Sequence, residues 1–155
     1  QCVSIIPQPL QQFPQGRLAN APRLWQSGCR TPGRDAPVED LTKQPCVACR
    51  KDAPPVTDAD IAELHPQVPE WQIVVEDGVR QLVREFRFPN FAQALAFTNA
   101  VGQLAEEESH HPRIVTEYGR VEVAWWTHKI GDLHRNDFIC AAKTDAAFAF
   151  FLATS

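Results

Sequence analysis

The sequence lacks several features that would place it in a common functional class. No apolar run approaches the roughly 18 residues needed to span a bilayer, so the sequence predicts a soluble protein with no membrane partner. Its seven glycines form no phosphate-cradling loop, and no GxSxG turn is present. Nucleotide hydrolysis and serine-hydrolase chemistry therefore have no support in the sequence.

Cysteine is scarce and unevenly spread. The five cysteines are odd in number, which argues against a disulfide framework and favours a reducing compartment, so we expect a cytoplasmic protein. Cys46 and Cys49 form a lone CxxC, and no second CxxC or HxxxH supplies the further ligands of a structural zinc site. We interpret this pair as incidental or weakly metal-binding, with a redox or zinc role as the alternative. We interpret Cys140 as a core residue of an apolar helix.

Acidic residues are absent from the first 34 positions, which contain four arginines, although the whole chain has a net charge of −4. The remainder is therefore acidic and offers no basic face to a phosphate backbone. This distribution argues against nucleic-acid binding and favours a small-molecule or protein partner.

Residues 1–44 are rich in proline and glutamine, and their apolar residues follow no helical or strand period. We predict a disordered leader or extension over 1–44 and one domain over 45–155, a length suited to a single core. The leader resembles an organellar transit peptide in having arginines and no acids, but it holds only two serines, so this targeting alternative is weakly supported.

From residue 57 onward, cap and turn residues separate periodic segments. Thr57 and Asn90 are placed as N-caps, Asp77-Gly78 predicts a two-residue hairpin, and Gly119 marks a second turn. The predicted order is α-β-β-α-β-β-α over residues 58–65, 71–76, 79–88, 91–108, 113–118, 121–128 and 135–152. This order favours an α+β fold, in which a single four-stranded antiparallel sheet carries three helices on one face.

The spacing of side chains predicts which side of the central helix and which side of the fourth strand face the core. The central helix carries Phe91, Leu95, Thr98, Val101 and Ala105 at helical intervals, which predicts its core-facing side. In the fourth strand the valines alternate with Trp126 and His128, so His128 is predicted to face away from the helices.

The stretch EEESHHP places His110 and His111 at the end of the central helix, where Pro112 prevents its continuation. The partial negative charge of a helix C-terminus and the preceding glutamates favour a protonated imidazole. Together with His128, the pair is typical of general acid and base catalysis, although two histidines at a helix end also occur as a solvated cap. Adjacent side chains diverge and rarely share one ion, so no metal site is predicted.

Seven residues complete the pattern E-x3-H-H-P-x5-Y-x9-H-x8-D, namely Glu106, His110, His111, Pro112, Tyr118, His128 and Asp137. The pattern resembles the signature of the pterin-4a-carbinolamine dehydratases. The resemblance covers about residues 45–147, including FPNFAQALAFTNAVG and WWTHKIGDLHRNDFICAAKTD, and is similar to the bacterial branch that accompanies phenylalanine hydroxylase. It implies the same fold, helices on one side of a four-stranded antiparallel sheet.

The resemblance implies dehydration of 4a-hydroxytetrahydropterin to quinonoid dihydropterin, which recycles the cofactor of aromatic amino acid hydroxylases without a metal or organic cofactor. By the same resemblance, His110 and His128 are the acid and base, His111 positions the pterin, Glu106 accepts from its N–H groups, and Asp137 orients an imidazole. Trp126 is expected to stack on the pterin, whereas Trp125 and Tyr118 are expected to pack. Asp137 has an equal alternative as the N3 carboxylate of a helix capped at His134.

We also expect a homo-oligomer, a homodimer or homotetramer, because a small open sheet exposes edges and the last helix carries Phe148, Phe150, Phe151 and Leu152. Functional coupling to an aromatic amino acid hydroxylase follows from the resemblance. The alternative function is a non-catalytic interaction protein of the same fold, either a dimerisation cofactor or an assembly factor.

Overall fold

The computed structural model describes residues 39–47, 50 and 52–154 of the chain. Its helices and strands are α1 (Asp58–Leu64), β1 (Gln72–Glu76), β2 (Val79–Arg87), α2 (Phe91–Glu108), β3 (Arg113–Glu117), β4 (Arg120–Trp125) and α3 (Arg135–Thr154). Two short 3₁₀ helices, Leu41–Lys43 and His65–Gln67, flank α1 in the chain. The predicted α+β class and element order are confirmed. In the described part of the chain, no helix combines the length and apolarity required to cross a membrane.

The four strands form one antiparallel sheet in the order β1-β2-β4-β3. Asp77 and Gly78 join β1 to β2 with φ values of 51° and 81°, the left-handed pair that a tight hairpin requires. Gly119, between β3 and β4, has φ 71°, and a Cβ there would lie 2.9 Å from the carbonyl oxygen of Phe88. Only glycine therefore fits this turn.

The core lies between one face of the sheet and the helices. Leu82 and Phe86 of β2 share this face with Val121, Val123 and Trp125 of β4, as the alternation predicted. Ala94, Phe97, Val101 and Ala105 of α2 cover it, together with Phe138, Cys140 and Ala141 of α3, and α1 adds Leu64. The opposite face of β2 and β4 carries charged side chains such as Glu85 and Glu122.

The predicted core face of α2 was partly wrong. Val101 and Ala105 are buried as expected, but Phe91 and Leu95 are 46% and 44% exposed. The buried stripe instead passes through Ala94 and Phe97. The first two turns of α2 are apolar on more than one side, so the spacing was compatible with two core faces. Close packing against the sheet selects the face that carries the small Ala94.

The fourth strand is shorter than predicted, because β4 ends at Trp125 and not at His128. Thr127 forms an isolated bridge with Asp132, and its carbonyl accepts hydrogen bonds from Ile130 and from Gly131, which has φ 63°. The chain therefore reverses immediately after the strand. His128 lies in this exposed turn, so strand alternation does not determine its position.

The packed part of the chain begins before residue 45. Leu41 is fully buried in the core, and its N–H donates to Oε1 of Gln67 at 3.2 Å. The 3₁₀ helix that contains Leu41 also contacts α3. Residues 1–38 of the predicted leader lie outside the described residues.

The four apolar residues near the end of α3 divide into two pairs. Phe148 and Phe151 join Phe86, Phe88 and Phe97 in an aromatic cluster with ring centroids 4.8–6.3 Å apart. Phe150 and Leu152 are exposed. The first pair therefore stabilises the monomer itself, and only the second pair remains for the predicted oligomer contact.

Candidate active site

The end of α2 separates the two adjacent histidines. Ser109 follows the helix in a left-handed conformation, with φ 50° and ψ 37°. Its N–H donates to the carbonyl of Glu106 at 3.2 Å, and the N–H of His110 donates to the carbonyl of Ala105 at 3.0 Å. These two bonds form a Schellman motif with serine in the position usually taken by glycine. The helix has thus ended before Pro112, which the sequence had suggested as its terminator.

The Schellman turn directs His110 into the protein. Its side chain is only 5% exposed, and its Nε2 lies 2.6 Å from Oδ1 of Asp137. The imidazole also stacks on the indole of Trp125, with centroids 5.5 Å apart and planes 10° from parallel. A carboxylate on one side and an aromatic face on the other fix the orientation of this ring.

Asp137 is fully buried and accepts hydrogen bonds on both carboxylate oxygens. Its Oδ2 accepts from the hydroxyl of Thr127 at 3.1 Å and from the backbone N–H of His134 at 2.6 Å. The geometry therefore combines the two alternatives that the sequence left open, a helix cap and a support for an imidazole. Oδ1 of Asp137 lies 2.6 Å from Nε2 of His110, so one carboxylate serves both contacts.

His111 faces the opposite way. Its side chain is 59% exposed, and its Nε2 lies 3.0 Å from Oε1 of Glu106, which is itself exposed. An ion pair in this environment contributes about 0–1 kcal/mol, since solvent screens it and two long side chains must be ordered. His111 is consequently not tied to the core in the way that His110 is.

His128 completes the group from the turn after β4. Its ring packs against Trp126, with centroids 4.3 Å apart and planes inclined by 38°. A cleft of about 150 Å³ is lined by Ser109, His110, His111, Thr127, His128 and Lys129. The histidines singled out in the sequence thus line one cleft, with Asp137 behind His110, Glu106 beside His111 and Trp126 beside His128.

A larger cavity of about 440 Å³ lies at the sheet, lined by Glu70, Gln72, Val83, Arg84, Glu85 and Glu122. Its lining contains three carboxylates and one guanidinium, and no histidine. The smaller cleft is therefore the better candidate for proton-transfer chemistry, because its lining holds three imidazoles, the side chains that most often act as general acids and bases.

Glu108, the last residue of α2, forms two contacts next to the site. Burial of its carboxyl raises the pKa, but hydrogen bonds from the Lys143 ammonium and the Cys46 N–H outweigh burial and hold the pKa below its ordinary value. Glu108 is thus an ionised link between the end of α2, the helix α3 and the segment before α1.

Three residues of the cleft, Ser109, Thr127 and Lys129, were not among the predicted site residues. Thr127 could have been found from the predicted strand over 121–128, in which it shares the parity of Val123 and Trp125, and in the structure it is buried and its hydroxyl donates to Asp137. Lys129 gave no such signal. Among the described residues, no group of three His, Cys, Asp or Glu side chains is arranged to hold a metal ion.

Comparison with known proteins adds independent evidence. A family model described as pterin 4 alpha carbinolamine dehydratase matches residues 54–147. A Nitrosococcus oceani protein provisionally named pterin-4-alpha-carbinolamine dehydratase is 62% identical over 108 residues, covering 70% of this chain and 96% of the relative. A Marinobacter nauticus protein with the same provisional name is 58% identical over 111 residues, covering 72% of this chain and 100% of the relative.

A solved structure is also similar. It is described as a transcriptional coactivator/pterin dehydratase from Brucella melitensis, is 30% identical, and covers 61% of this chain and 98% of its own, with a TM-score of 0.55.

Proposed function

The chain belongs to the pterin-4a-carbinolamine dehydratase family of hydro-lyases, and we propose that it dehydrates 4a-hydroxytetrahydropterin to quinonoid dihydropterin by histidine acid/base catalysis. The observation that supports this proposal is that His110, His111 and His128 line one cleft. The first of them is held by a fully buried carboxylate.

The reaction needs one proton donor and one proton acceptor. The bond between C4a and the hydroxyl oxygen breaks, the electron pair leaves with the oxygen, and an acid supplies the proton that makes the leaving group water. A ring nitrogen forms a double bond to C4a and gives up its own proton to a base. Imidazole serves both roles near neutral pH, because its ordinary pKa is about 6.5.

His110 and His128 are the proposed acid and base. The Asp137 carboxylate lies 2.6 Å from Nε2 of His110 and holds this imidazole in place at the cleft, which supports the role proposed for His110. His128 lies in an exposed turn beside Trp126, where it can approach the pterin from another direction. Since the hydroxyl can leave from either face of the ring, each histidine serves as the acid for one stereoisomer.

The remaining predicted site residues are proposed to bind the pterin. His111 positions the pterin, Glu106 accepts from its N–H groups, and Trp126 stacks on it through the indole face. Oε1 of Glu106 lies 3.0 Å from Nε2 of His111, which lines the cleft, and this contact supports a shared binding role for the two residues.

The direct test is a dehydration assay with synthetic 4a-hydroxytetrahydropterin. The wild-type protein should accelerate loss of the hydroxyl, and the double variant His110→Ala/His128→Ala should lose more turnover than either single variant. His65→Gln is a matched control, because this histidine bonds the carbonyl of Trp71 and does not line the cleft. A folded double variant with near wild-type turnover would contradict the enzymatic proposal.

Recycling of the cofactor of an aromatic amino acid hydroxylase is the proposed role of this activity. In a coupled assay, the protein should sustain hydroxylase turnover when the tetrahydropterin is limiting and a dihydropterin reductase is present. An inactive His110→Ala/His128→Ala variant should not sustain it. Equal turnover with and without the wild-type protein would argue against the coupling.

We further propose a homodimer or homotetramer. Phe91, Leu95, Phe150 and Leu152 leave exposed apolar surface on α2 and α3, and the edge strand β1 exposes Val74 and Val75. Sedimentation at micromolar concentration should show a species of at least twice the 17.4 kDa chain mass. A monomer under these conditions would contradict the proposal.

A non-catalytic interaction role is the second candidate, and two observations favour it. The Brucella melitensis neighbour is described as a transcriptional coactivator as well as a pterin dehydratase, and the exposed apolar side chains of α2 and α3 form a surface for protein contacts. The two roles separate in the assay above, because a scaffold would show no dehydration in the wild-type protein.

A further inference from the structure

Two cysteines that are 94 positions apart in the chain meet beside α3. The Sγ atoms of Cys46 and Cys140 lie 3.4 Å apart. Cys46 is half-buried and Cys140 is fully buried. Cys46 is thus the more exposed residue of the pair.

Specific hydrogen bonds hold the segment of Cys46 in this position. The N–H of Cys46 donates to Oε2 of Glu108 at 3.0 Å. The side-chain amide of Asn136, which is itself buried, accepts from the N–H of Val47 at 3.2 Å and donates to its carbonyl at 2.7 Å. These three bonds fasten the backbone on both sides of the thiol to α2 and α3. The approach of the two sulfurs is therefore supported by the surrounding structure.

The pKa of the buried sulfur differs from its ordinary value. Among the described residues, no group of three His, Cys, Asp or Glu side chains is arranged to hold a metal ion. The hydrogen bond with Cys46, together with burial, raises the pKa of the Cys140 thiol. Cys46 is also the more exposed residue of the two, so we expect it to meet an oxidant first and Cys140 to resolve.

We propose that Cys46 and Cys140 are a peroxide-sensitive dithiol that oxidises to an intramolecular disulfide, fastening the segment before α1 to α3. In the first step the Cys46 thiolate attacks hydrogen peroxide, the O–O bond breaks, and sulfenic acid forms as the thiol proton leaves with hydroxide as water. The Cys140 sulfur then attacks the Cys46 sulfur and displaces hydroxide, which takes the Cys140 proton. Two thiols and one peroxide give one disulfide and two waters.

Only a small displacement is needed for the second step. The sulfurs must move from 3.4 Å to the roughly 2.05 Å of a disulfide bond. Because the bond would join residues 46 and 140, it would constrain a long stretch of the unfolded chain, and it should raise the melting temperature. The proposal concerns thiol chemistry and does not depend on the proposed dehydratase activity.

The linkage can be identified by peptide mapping of the full-length protein after treatment with hydrogen peroxide. Trypsin cuts after Lys43, Arg50, Arg135 and Lys143, so Cys46 and Cys140 fall in separate peptides, whereas Cys46 and Cys49 share one. The expected product is the 44–50 peptide joined to the 136–143 peptide, with the loss of two hydrogens. The melting temperature should rise by roughly 5–15 °C and return after reduction with dithiothreitol.

Two variants make the result decisive. Cys49→Ser removes the neighbouring thiol of the CxxC and should retain both the cross-link and the thermal shift. Cys140→Ala should abolish both, and its melting temperature in the reduced state verifies that it folds. A disulfide confined to Cys46 and Cys49, a linkage to Cys2 or Cys29, or the absence of any 44–50 to 136–143 product would overturn the proposal.

Discussion

His110 and His111 are neighbours in the chain, yet they occupy opposite environments. His110 is buried, stacks on Trp125 and lies 2.6 Å from a buried carboxylate. His111 is mostly in solvent and pairs with the exposed Glu106. The left-handed Ser109 produces this divergence, since it turns the backbone just before the pair. The proposed roles follow this division, with catalysis and structural support assigned to the buried His110 and substrate contacts to the exposed His111.

Single substitutions of His110 and His111 should give the largest difference in kinetic constants between two variants. His110→Ala should lower kcat by about 10²–10⁴-fold, the usual range for loss of a general acid or base. His111→Ala should instead raise KM more than it lowers kcat, as expected when a group binds substrate and transition state equally. Steady-state kinetics of dehydration measure both parameters. Equal effects of the two variants on kcat would contradict the different roles proposed for His110 and His111.

Substitution of Asp137 should show how much this one buried carboxylate contributes to the free energy of unfolding. Asp137→Ala leaves the Thr127 hydroxyl, the His134 N–H and the His110 imidazole without their acceptor, so it should cost about 3–5 kcal/mol of unfolding free energy. Urea denaturation measures this cost. The matched control is Asp52→Ala, because Asp52 is exposed and its loss should change stability by less than about 0.5 kcal/mol. A similar stability for both variants would contradict the structural role of Asp137.

The consecutive glutamates Glu106, Glu107 and Glu108 also differ in exposure, and we expect them to differ in their contribution to stability. Glu108→Gln breaks the half-buried contact with Lys143 and should cost about 1–3 kcal/mol, whereas Glu107→Gln changes only an exposed bond to Gln103. Because the folded-state pKa of Glu108 is lowered from 4.5, its stabilisation is present above that value and is lost as the pH falls below it. The difference in melting temperature between wild type and Glu108→Gln should therefore shrink below about pH 4.5. A constant difference down to pH 3 would contradict the assigned ion pair.

Substitution of Glu106 should have the smallest effect on stability. Glu106→Gln removes one charge from an exposed pair, so unfolding free energy should change by less than about 0.5 kcal/mol. If the carboxylate accepts from pterin N–H groups, KM should rise by roughly tenfold at most, with kcat nearly unchanged. An unaltered KM would mean that only His111 of this exposed pair contributes to binding.

Local sequence chemistry was sufficient to predict most of the fold. Asp77-Gly78 has few backbone options other than a tight hairpin, and the cap residues Thr57 and Asn90 fixed two helix starts. The core face of α2 was harder to predict. Its first turns offer Phe91 and Leu95 on one side and smaller residues on the other, and only packing against the sheet selects between them.

The site could be predicted by residue identity and less well by geometry. The three histidines were found because their spacing and chemistry are unusual, but the opposite orientations of His110 and His111 depend on Ser109, which is not a typical left-handed residue. The contact between Cys46 and Cys140 spans 94 positions, so no local periodicity could reveal it. Such contacts arise from tertiary packing alone.

Asp137 has a further consequence for how the function of related chains is inferred. One carboxylate both caps α3 and supports His110, so a descendant that abandoned dehydration but kept the fold would remain under selection to retain it. Its presence in a related sequence is therefore poor evidence of catalysis. If His111 binds pterin as proposed, it is the better diagnostic, because its loss would cost the fold little.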